Sequence, residues 1–153
     1  SRNSWYKNLS FVSQSPFIFG TSILNNIKIG KYNASEEEVI TAAKKSGSFD
    51  YINKLSNKFN FNVEDGGTNL SGGQCQLISL TRAILKDAPI ILLDEPSNNL
   101  DKKSIIKLKD LFLSWAKENK LIIVITHDLR LIDERFDIYN VKDFNLVKNQ
   151  ISK

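Results

Sequence analysis

Two short, continuously apolar runs stand out in the second half of the chain, PIILLDE at 89–95 and KLIIVITHD at 120–128. Each run ends in polar residues, which is typical of a parallel strand covered on both faces. Between them, residues 102–119 repeat apolar positions at helical spacing. The pattern predicts a strand–helix–strand unit, and with it an α/β domain.

The first half of the chain predicts one short strand and several helices. The strand is LSFVSQ at 9–14, and residues 35–47 predict a helix with a capping-box start and a glycine stop. The remaining pattern predicts a short helix over 48–57, a loop over 60–69, a helix over 74–87 that Pro89 ends, and a closing hairpin about residues 142–145.

The stretch NLSGGQCQ places two adjacent glycines, Gly72 and Gly73, directly before a predicted helix. Each glycine inside a helix costs about 0.5–1 kcal/mol relative to alanine, so their position needs a reason. Ser71 and Gln74 have capping-box spacing, which predicts a helix start with exposed N–H groups. A phosphate site without side-chain obstruction and a merely capped helix both fit this stretch.

Acidic and imidazole side chains follow the two apolar runs. Asp94 and Glu95 end the first run, and Thr126, His127 and Asp128 end the second. Ligands of open α/β sheets bind at the carboxyl ends of strands. A strand-end aspartate suits Mg²⁺, and a neighbouring glutamate can polarise a water molecule. His127 is the only histidine, and its place favours a functional role over a structural one.

Composition narrows the class of protein. The 153 residues suit one domain, and 41% hydrophobic with 25% charged residues is ordinary for a globular protein. No apolar run approaches the ~18 residues that span a membrane, and the start does not have the pattern of a signal peptide. The single Cys75 excludes an internal disulfide and fits a reducing, cytoplasmic setting. The net charge of +4 comes from scattered lysines, which favours a solvated surface over a nucleic-acid face.

LSGGQ at 70–74, IILLDEPSNNLD at 90–101 and ITHD at 125–128 together resemble the ATP-binding cassette (ABC) ATPases. In that family these are the signature motif, the Walker B strand with its D-loop, and the switch histidine. Upstream, FVSQSPFIFGTSILNNI at 11–27 resembles the exporter form of the Q-loop. VEDGGTNLSGGQ at 63–74 resembles the exporter loop that touches the transmembrane coupling helices. The resemblance covers nearly the whole chain, with the motifs in the family's order and spacing.

The resemblance implies a role for each matching residue at the strand ends. Asp94 would hold Mg²⁺ through water, and Glu95 would be the general base. Gln14 would contact Mg²⁺ or the attacking water and sense the membrane domain. His127 would contact the γ-phosphate of ATP.

The signature residues would act on a second copy, since family members pair head to tail. Ser71, Gly72 and Gly73 would contact the γ-phosphate of ATP bound to the opposing copy. Gln74 and Asp101 complete the nucleotide-binding set, and Asp101 would lie in the loop that crosses the dimer interface. On this interpretation the glycines leave room for a partner's ATP.

The resemblance also implies a fold and a setting. The fold would be a partial P-loop NTPase-like, mostly parallel sheet with helices and a helical signature subdomain. Residues 1–153 would form one partial ABC ATPase domain, with the helical subdomain at about 30–88 and the carboxyl-terminal part of the core sheet at 89–153. ATP and Mg²⁺ would be the cofactors. The partners would be a transmembrane domain and a second nucleotide-binding domain, with no nucleic acid, at the cytoplasmic face of a membrane.

The sequence departs from the family at several positions. The P-loop, G-x-x-x-x-G-K-[ST], does not occur, and the nearest candidate, at Gly30, lacks both the first glycine and the Ser/Thr. Cys75 and Leu77 stand where arginine is usual, and Asn98-Asn99 replaces Ser-Ala in the D-loop. The sequence therefore resembles the carboxyl-terminal part of a cassette from a longer transporter. Its sheet is expected to carry an exposed edge where the P-loop strand belongs.

These observations predict a nucleotide-binding domain of an ABC exporter, inactive on its own without a P-loop. A soluble ABC ATPase is one alternative, disfavoured by Pro-Phe-x-Phe at 16–19 and by the loop at 63–69, which suit a membrane-domain partner. A non-catalytic regulatory module that pairs with a complete cassette is another alternative. The presence of both Glu95 and His127 argues against it.

Overall fold

The computed structural model describes residues 7–143 and 145–148. The described strands are β1 (Leu9–Val12), β2 (Ile90–Asp94), β3 (Leu121–Ile125), β4 (Tyr139–Lys142) and β5 (Asn145–Lys148). The described helices are α1 (Ile23–Lys28), α2 (Glu36–Ser46), α3 (Phe49–Ile52), α4 (Gly72–Lys86) and α5 (Lys102–Lys117).

A parallel three-stranded sheet forms the centre of the α/β arrangement. Its strand order is β1-β2-β3, with Val12 opposite Leu93 and Asp94 opposite Ile125. The helix α5 connects β2 to β3, so the predicted strand–helix–strand unit is confirmed. The antiparallel pair β4–β5 confirms the predicted closing hairpin.

Capping boxes set the starts of two helices. At α2 the Ser35 hydroxyl accepts from the Glu38 backbone N–H at 3.2 Å, and the Glu38 carboxylate accepts from the Ser35 N–H at 2.7 Å. The same pair of bonds joins Ser71 and Gln74 at the start of α4, at 3.2 and 2.8 Å. Since Ser71 is the N-cap, α4 begins at Gly72, earlier than the residue 74 predicted from periodicity.

The helix α4 is the most enclosed element of the described chain. From Cys75 to Leu85 every residue except Arg82 is buried. One side of α4 packs on α1 and α2, and another packs on β1. A helix that is buried on nearly all sides belongs to the core of a domain, and α4 is the core helix here.

The helix α5 packs beside the sheet through one apolar stripe. Its buried side chains are Ile105, Leu108, Leu111, Phe112 and Trp115. The Phe112 and Trp115 rings stack with centroids 6.2 Å apart. None of the described helices is long and apolar enough to cross a membrane.

The strand β3 lies at the edge of the sheet and pairs, within the described residues, only with β2. Leu121, Ile123 and Ile125 are 55%, 45% and 55% exposed, although the strand is apolar throughout. A cleft of about 850 Å³ separates this edge from the hairpin β4–β5 and is lined mainly by apolar side chains. An apolar strand with a free edge is a template for pairing with another strand.

We therefore expect this chain to self-associate through β3 at high concentration. Ile123→Lys should weaken the association by roughly tenfold or more, because burying an unpaired ammonium group in the contact costs more than ~1.4 kcal/mol. Sedimentation velocity over a range of concentrations measures the effect. Ile106→Lys is the matched control, since Ile106 is 62% exposed on α5, away from this edge. A monomeric wild-type chain, or equal effects of both variants, would contradict the prediction.

Candidate functional site

The three parallel strands end at one edge of the sheet and bring the predicted polar residues to it. Gln14 follows β1, Asp94 is the last residue of β2 with Glu95 next to it, and His127 follows β3. Together with Thr126 these residues form what we call the strand-end group. The structure thus places all four predicted strand-end site residues at the same edge.

Glu95 is the best-anchored member of the strand-end group. One carboxylate oxygen, Oε1, lies 2.6 Å from His127 Nδ1 and accepts from the His127 backbone N–H at 3.1 Å. The other oxygen, Oε2, accepts from the Thr126 hydroxyl at 3.1 Å. The Glu95 side chain is 13% exposed, whereas the His127 side chain is 81% exposed. The carboxylate is therefore held by the segment after β3, while the imidazole remains open to solvent.

The backbone of Glu95 is strained in a way that fixes the carboxylate. Its φ is +47°, in the left-handed region, and its N–H donates to the Ile125 carbonyl at 2.8 Å. A non-glycine residue in this region costs of order ~1 kcal/mol and persists where the surroundings determine it. Such strain is common at functional sites, and here it occurs at the predicted general base.

Thr126 is a part of the site that sequence reasoning did not assign. Its hydroxyl donates to Glu95 and accepts from the Asp128 backbone N–H at 2.9 Å. The Arg130 guanidinium binds the Asp128 carboxylate at 2.7–3.1 Å and holds the pKa of that carboxyl well below its usual range. The turn after β3 is thus fixed by its own hydrogen bonds. The only sequence signal for Thr126 is its position between the apolar strand and His127.

Asp94 and Gln14 provide oxygen atoms at the same edge. Asp94 is partly exposed, and Gln14 is exposed. Within the described residues no group of three or more His, Cys, Asp or Glu side chains is arranged to hold a metal ion. Mg²⁺ needs no such cage, because it keeps several waters and binds through one or two carboxylates plus substrate phosphates. The strand-end group therefore fits Mg²⁺ carried by a phosphate ligand.

The signature glycines have a packing role within this chain. A Cβ on Gly73 would lie 2.5 Å from the Asn99 carbonyl oxygen, and one on Gly72 would lie 2.9 Å from Asn99 Nδ2. The loop after β2 therefore packs against the first turn of α4, where a side chain would collide with it. Asn99 itself has a φ of +61°. Asn99 thus occupies the space that side chains at Gly72 and Gly73 would need, and the role of these glycines toward a partner's ATP stays a prediction.

Asp101 caps α5. Its carboxylate accepts from the Ser104 backbone N–H at 2.7 Å. That hydrogen bond lowers the pKa of Asp101 below its ordinary value. The side chain that the resemblance assigns to a dimer interface therefore also fixes the start of a helix in its own chain.

The start of α4 borders a pocket that the strand-end group does not share, within the described residues. A pocket of about 310 Å³ adjoins the start of α4. None of the strand-end group lines this pocket, in the part of the chain that the structure describes. The predicted site residues therefore fall into two groups. The first is the strand-end group, and the second lies at the starts of α4 and α5 and borders this pocket, beside basic and polar side chains. The pocket residues that matter here are Ser71, Gly73, Gln74, Asn99, Asp101 and Lys103.

Comparisons with known proteins show the family to which this chain belongs. The family model described as "ABC transporter" matches residues 1–98. ABC transporter B family member 13 of Arabidopsis thaliana is 41% identical over 84% of this chain and 10% of its own length. The ATP-dependent lipid A-core flippase of Desulfotalea psychrophila is 38% identical over 95% of this chain and 25% of its own length.

A solved structure shows the same fold. A bacterial Atm1-family ABC exporter with ATP bound superimposes with a TM-score of 0.80 and 30% identity. The superposition covers 84% of this chain and 22% of that exporter chain. The chain thus spans between a tenth and a quarter of the length of these relatives. Because the family model matches more than half of the residues, the chain belongs to the ABC transporter family.

Proposed function

We propose that this chain is part of the nucleotide-binding domain of an ABC exporter, in which ATP binding and hydrolysis drive transport across a membrane. The observation that carries the proposal is the anchored Glu95 carboxylate, beside Asp94 at the carboxyl edge of a parallel sheet. The likeness to an exporter structure with ATP bound supports it. We call the longer protein that would contain this sequence the parent.

Glu95 is suited to the role of general base. Its carboxylate is an acceptor held in one direction by Thr126 and His127. A positioned carboxylate can take a proton from a water that attacks the γ-phosphate. Asp94 and Gln14 would hold Mg²⁺, which when bound neutralises charge on the phosphate oxygens.

His127 would reach the γ-phosphate with the side of its ring away from Glu95. Since an ionised carboxylate only accepts, the proton between the two lies on Nδ1. Nε2, on the opposite side of the ring, would then face a phosphate oxygen. The 81% exposed side chain leaves that nitrogen room to do so.

The start of α4 would serve a second copy in a head-to-tail dimer. Its separation from the strand-end group supports this, because Ser71 and Gly73 border a pocket that none of that group, among the described residues, lines. The capped helix start offers N–H groups and the positive end of a dipole to an anion. Three lysines and two aspartates line the same pocket, and one of the lysines, Lys107, pairs with Asp50 at 3.4 Å. The lysines therefore leave only a small excess of positive charge there.

A transmembrane domain would contact the exposed phenylalanines after β1. Phe17 and Phe19 are 61% and 46% exposed, and their rings meet edge to face with centroids 4.8 Å apart. Adjacent exposed aromatic rings mark an interaction surface. This surface favours a membrane-domain partner over a soluble ABC ATPase, and it would place the domain at the cytoplasmic face of a membrane.

The first functional prediction concerns the base. Glu95→Gln in the parent should lower ATP hydrolysis at least ~100-fold, because an amide cannot take the proton from water. ATP binding should persist, since the shape of the side chain is kept. Phosphate release and nucleotide binding are measured on the same preparation. Glu134→Gln makes the same chemical change at an exposed site and should leave turnover normal. Near-normal hydrolysis in Glu95→Gln would remove Glu95 from this role.

The second prediction concerns the signature. Gly73→Asp should abolish ATP-driven dimerisation of the parent while ATP binding persists, because a carboxylate would repel the partner's γ-phosphate. Ser71→Asp tests the charge without the collision at Asn99, since aspartate is a good N-cap. Ser71→Asn, a neutral cap of the same shape, should still dimerise. Size-exclusion chromatography in ATP provides the measurement, and unchanged dimerisation of both aspartate variants would contradict the in-trans role.

The third prediction concerns the 153-residue chain by itself. It should bind ATP–Mg²⁺ only very weakly and should not hydrolyse it, because the P-loop backbone and lysine supply most of the phosphate positioning in this chemistry. Calorimetric titration and a phosphate-release assay test both statements. Any release that persists in the Glu95→Gln chain comes from a contaminating ATPase. Micromolar binding, or turnover that Glu95→Gln abolishes, would show that these residues suffice.

A further inference from the structure

Arg82 is a half-buried cation on α4 that, among the described residues, binds only neutral oxygens. Its Nε donates to the Asn26 carbonyl at 2.7 Å, its Nη1 to the Phe17 carbonyl at 2.6 Å, and its Nη2 to Asn26 Oδ1 at 2.5 Å. No carboxylate of the described residues forms an ion pair with it. Burial lowers the pKa of Arg82 to about 10, so the guanidinium stays protonated at neutral pH.

Asn26 links that guanidinium to the turn after β1. The residue is fully buried on α1, and its Oδ1 also accepts from the Phe19 backbone N–H at 3.0 Å. Its Nδ2 donates to the carbonyls of Phe19 and Ser22 at 3.0 and 3.1 Å. One amide thus holds both sides of the turn, and Arg82 holds the amide.

The backbone of α4 comes close to the end of α1 at Arg82. A Cβ on Gly30, just beyond α1, would lie 2.2 Å from the Arg82 carbonyl oxygen. The Phe19 ring lies 5.8 Å from the guanidinium carbon. Residues 17–22, α1 and α4 therefore converge on Arg82.

We propose that Arg82 and Asn26 are positioning residues that fix the exposed Phe17–Phe19 segment to the signature helix α4. This inference rests on the proposed function, in which that segment meets the transmembrane domain and the start of α4 meets a partner's nucleotide. Arg82 lies about 15 Å along the helix axis from Gly72. Because α4 is one continuous, buried helix, a displacement of the segment acts on its start through Arg82.

The arrangement of the three oxygens around Arg82 suits a guanidinium better than an ammonium group. The acceptors, two carbonyl oxygens and one amide oxygen, are met by three different nitrogens of one planar group. A lysine would keep the charge but would present its donors from a single atom. Arg82→Lys therefore removes the positioning while it leaves a cation in the same place.

The first test is amide hydrogen exchange on the 153-residue chain. Arg82→Lys should accelerate exchange over residues 17–22 by roughly tenfold, the effect of losing a charge-assisted hydrogen bond, and leave α2 unchanged. Asn26→Asp gives a second variant, because the carboxylate still pairs with Arg82 but no longer donates to Phe19 and Ser22. It should accelerate exchange in the same residues. Ile84→Val, a buried change elsewhere on α4, is the control for lost stability.

The second test is ATP hydrolysis by the parent. Arg82→Lys should lower kcat roughly tenfold and change the KM for ATP less than twofold, because α4 is mispositioned while nucleotide binding is not. Ile84→Val should leave both constants near the wild-type values. Exchange that rises equally in residues 17–22 and in α2, or a kcat equal to that of Ile84→Val, overturns the inference. A wild-type parent without ATPase activity would instead refute the proposed function, and the exchange test would still decide the role of Arg82.

Discussion

The burial of α4 holds together most of the elements described above. The helix packs on β1 on one side and on α1 and α2 on the other, so its side chains form the centre of the core. The loop after β2 packs against Gly73 in the first turn of α4. Arg82 of α4 also forms hydrogen bonds to the turn after β1 and to α1. The turn after β1 and the loop after β2, which follow strands that lead to candidate functional residues, therefore both contact α4.

The parallel sheet brings residues that are distant in the sequence to one edge. Parallel strands must end on the same side, so Gln14, Asp94 and His127 meet there although they are far apart in the chain. The left-handed conformation of Glu95 then turns its carboxylate toward the segment after β3. The strain at this residue is held by a backbone bond to Ile125 and three contacts of its carboxylate.

Local signals in the sequence predicted the elements well, because short-range bonds determine them. The capping boxes at Ser35 and Ser71 and the apolar runs of β2 and β3 are of this kind. The pairing of Thr126 with Glu95 and the contact of Asn99 with the signature glycines depend on tertiary packing, so no spacing in the sequence reveals them. The polar ends of the apolar runs indicated Asp94, Glu95 and His127, and the motif resemblance added Gln14, but neither indicated the hydrogen bonds among these residues.

The pairing of β1 with β2 also governs how this domain folds. Leu9 lies opposite Ile90, so the two strands meet only after the whole helical stretch between them has been synthesised. Closing so long a loop is entropically unfavourable until α4 can pack on the nascent sheet. The slow step of folding is then the docking of β1 onto a strand that emerges from the ribosome long after it.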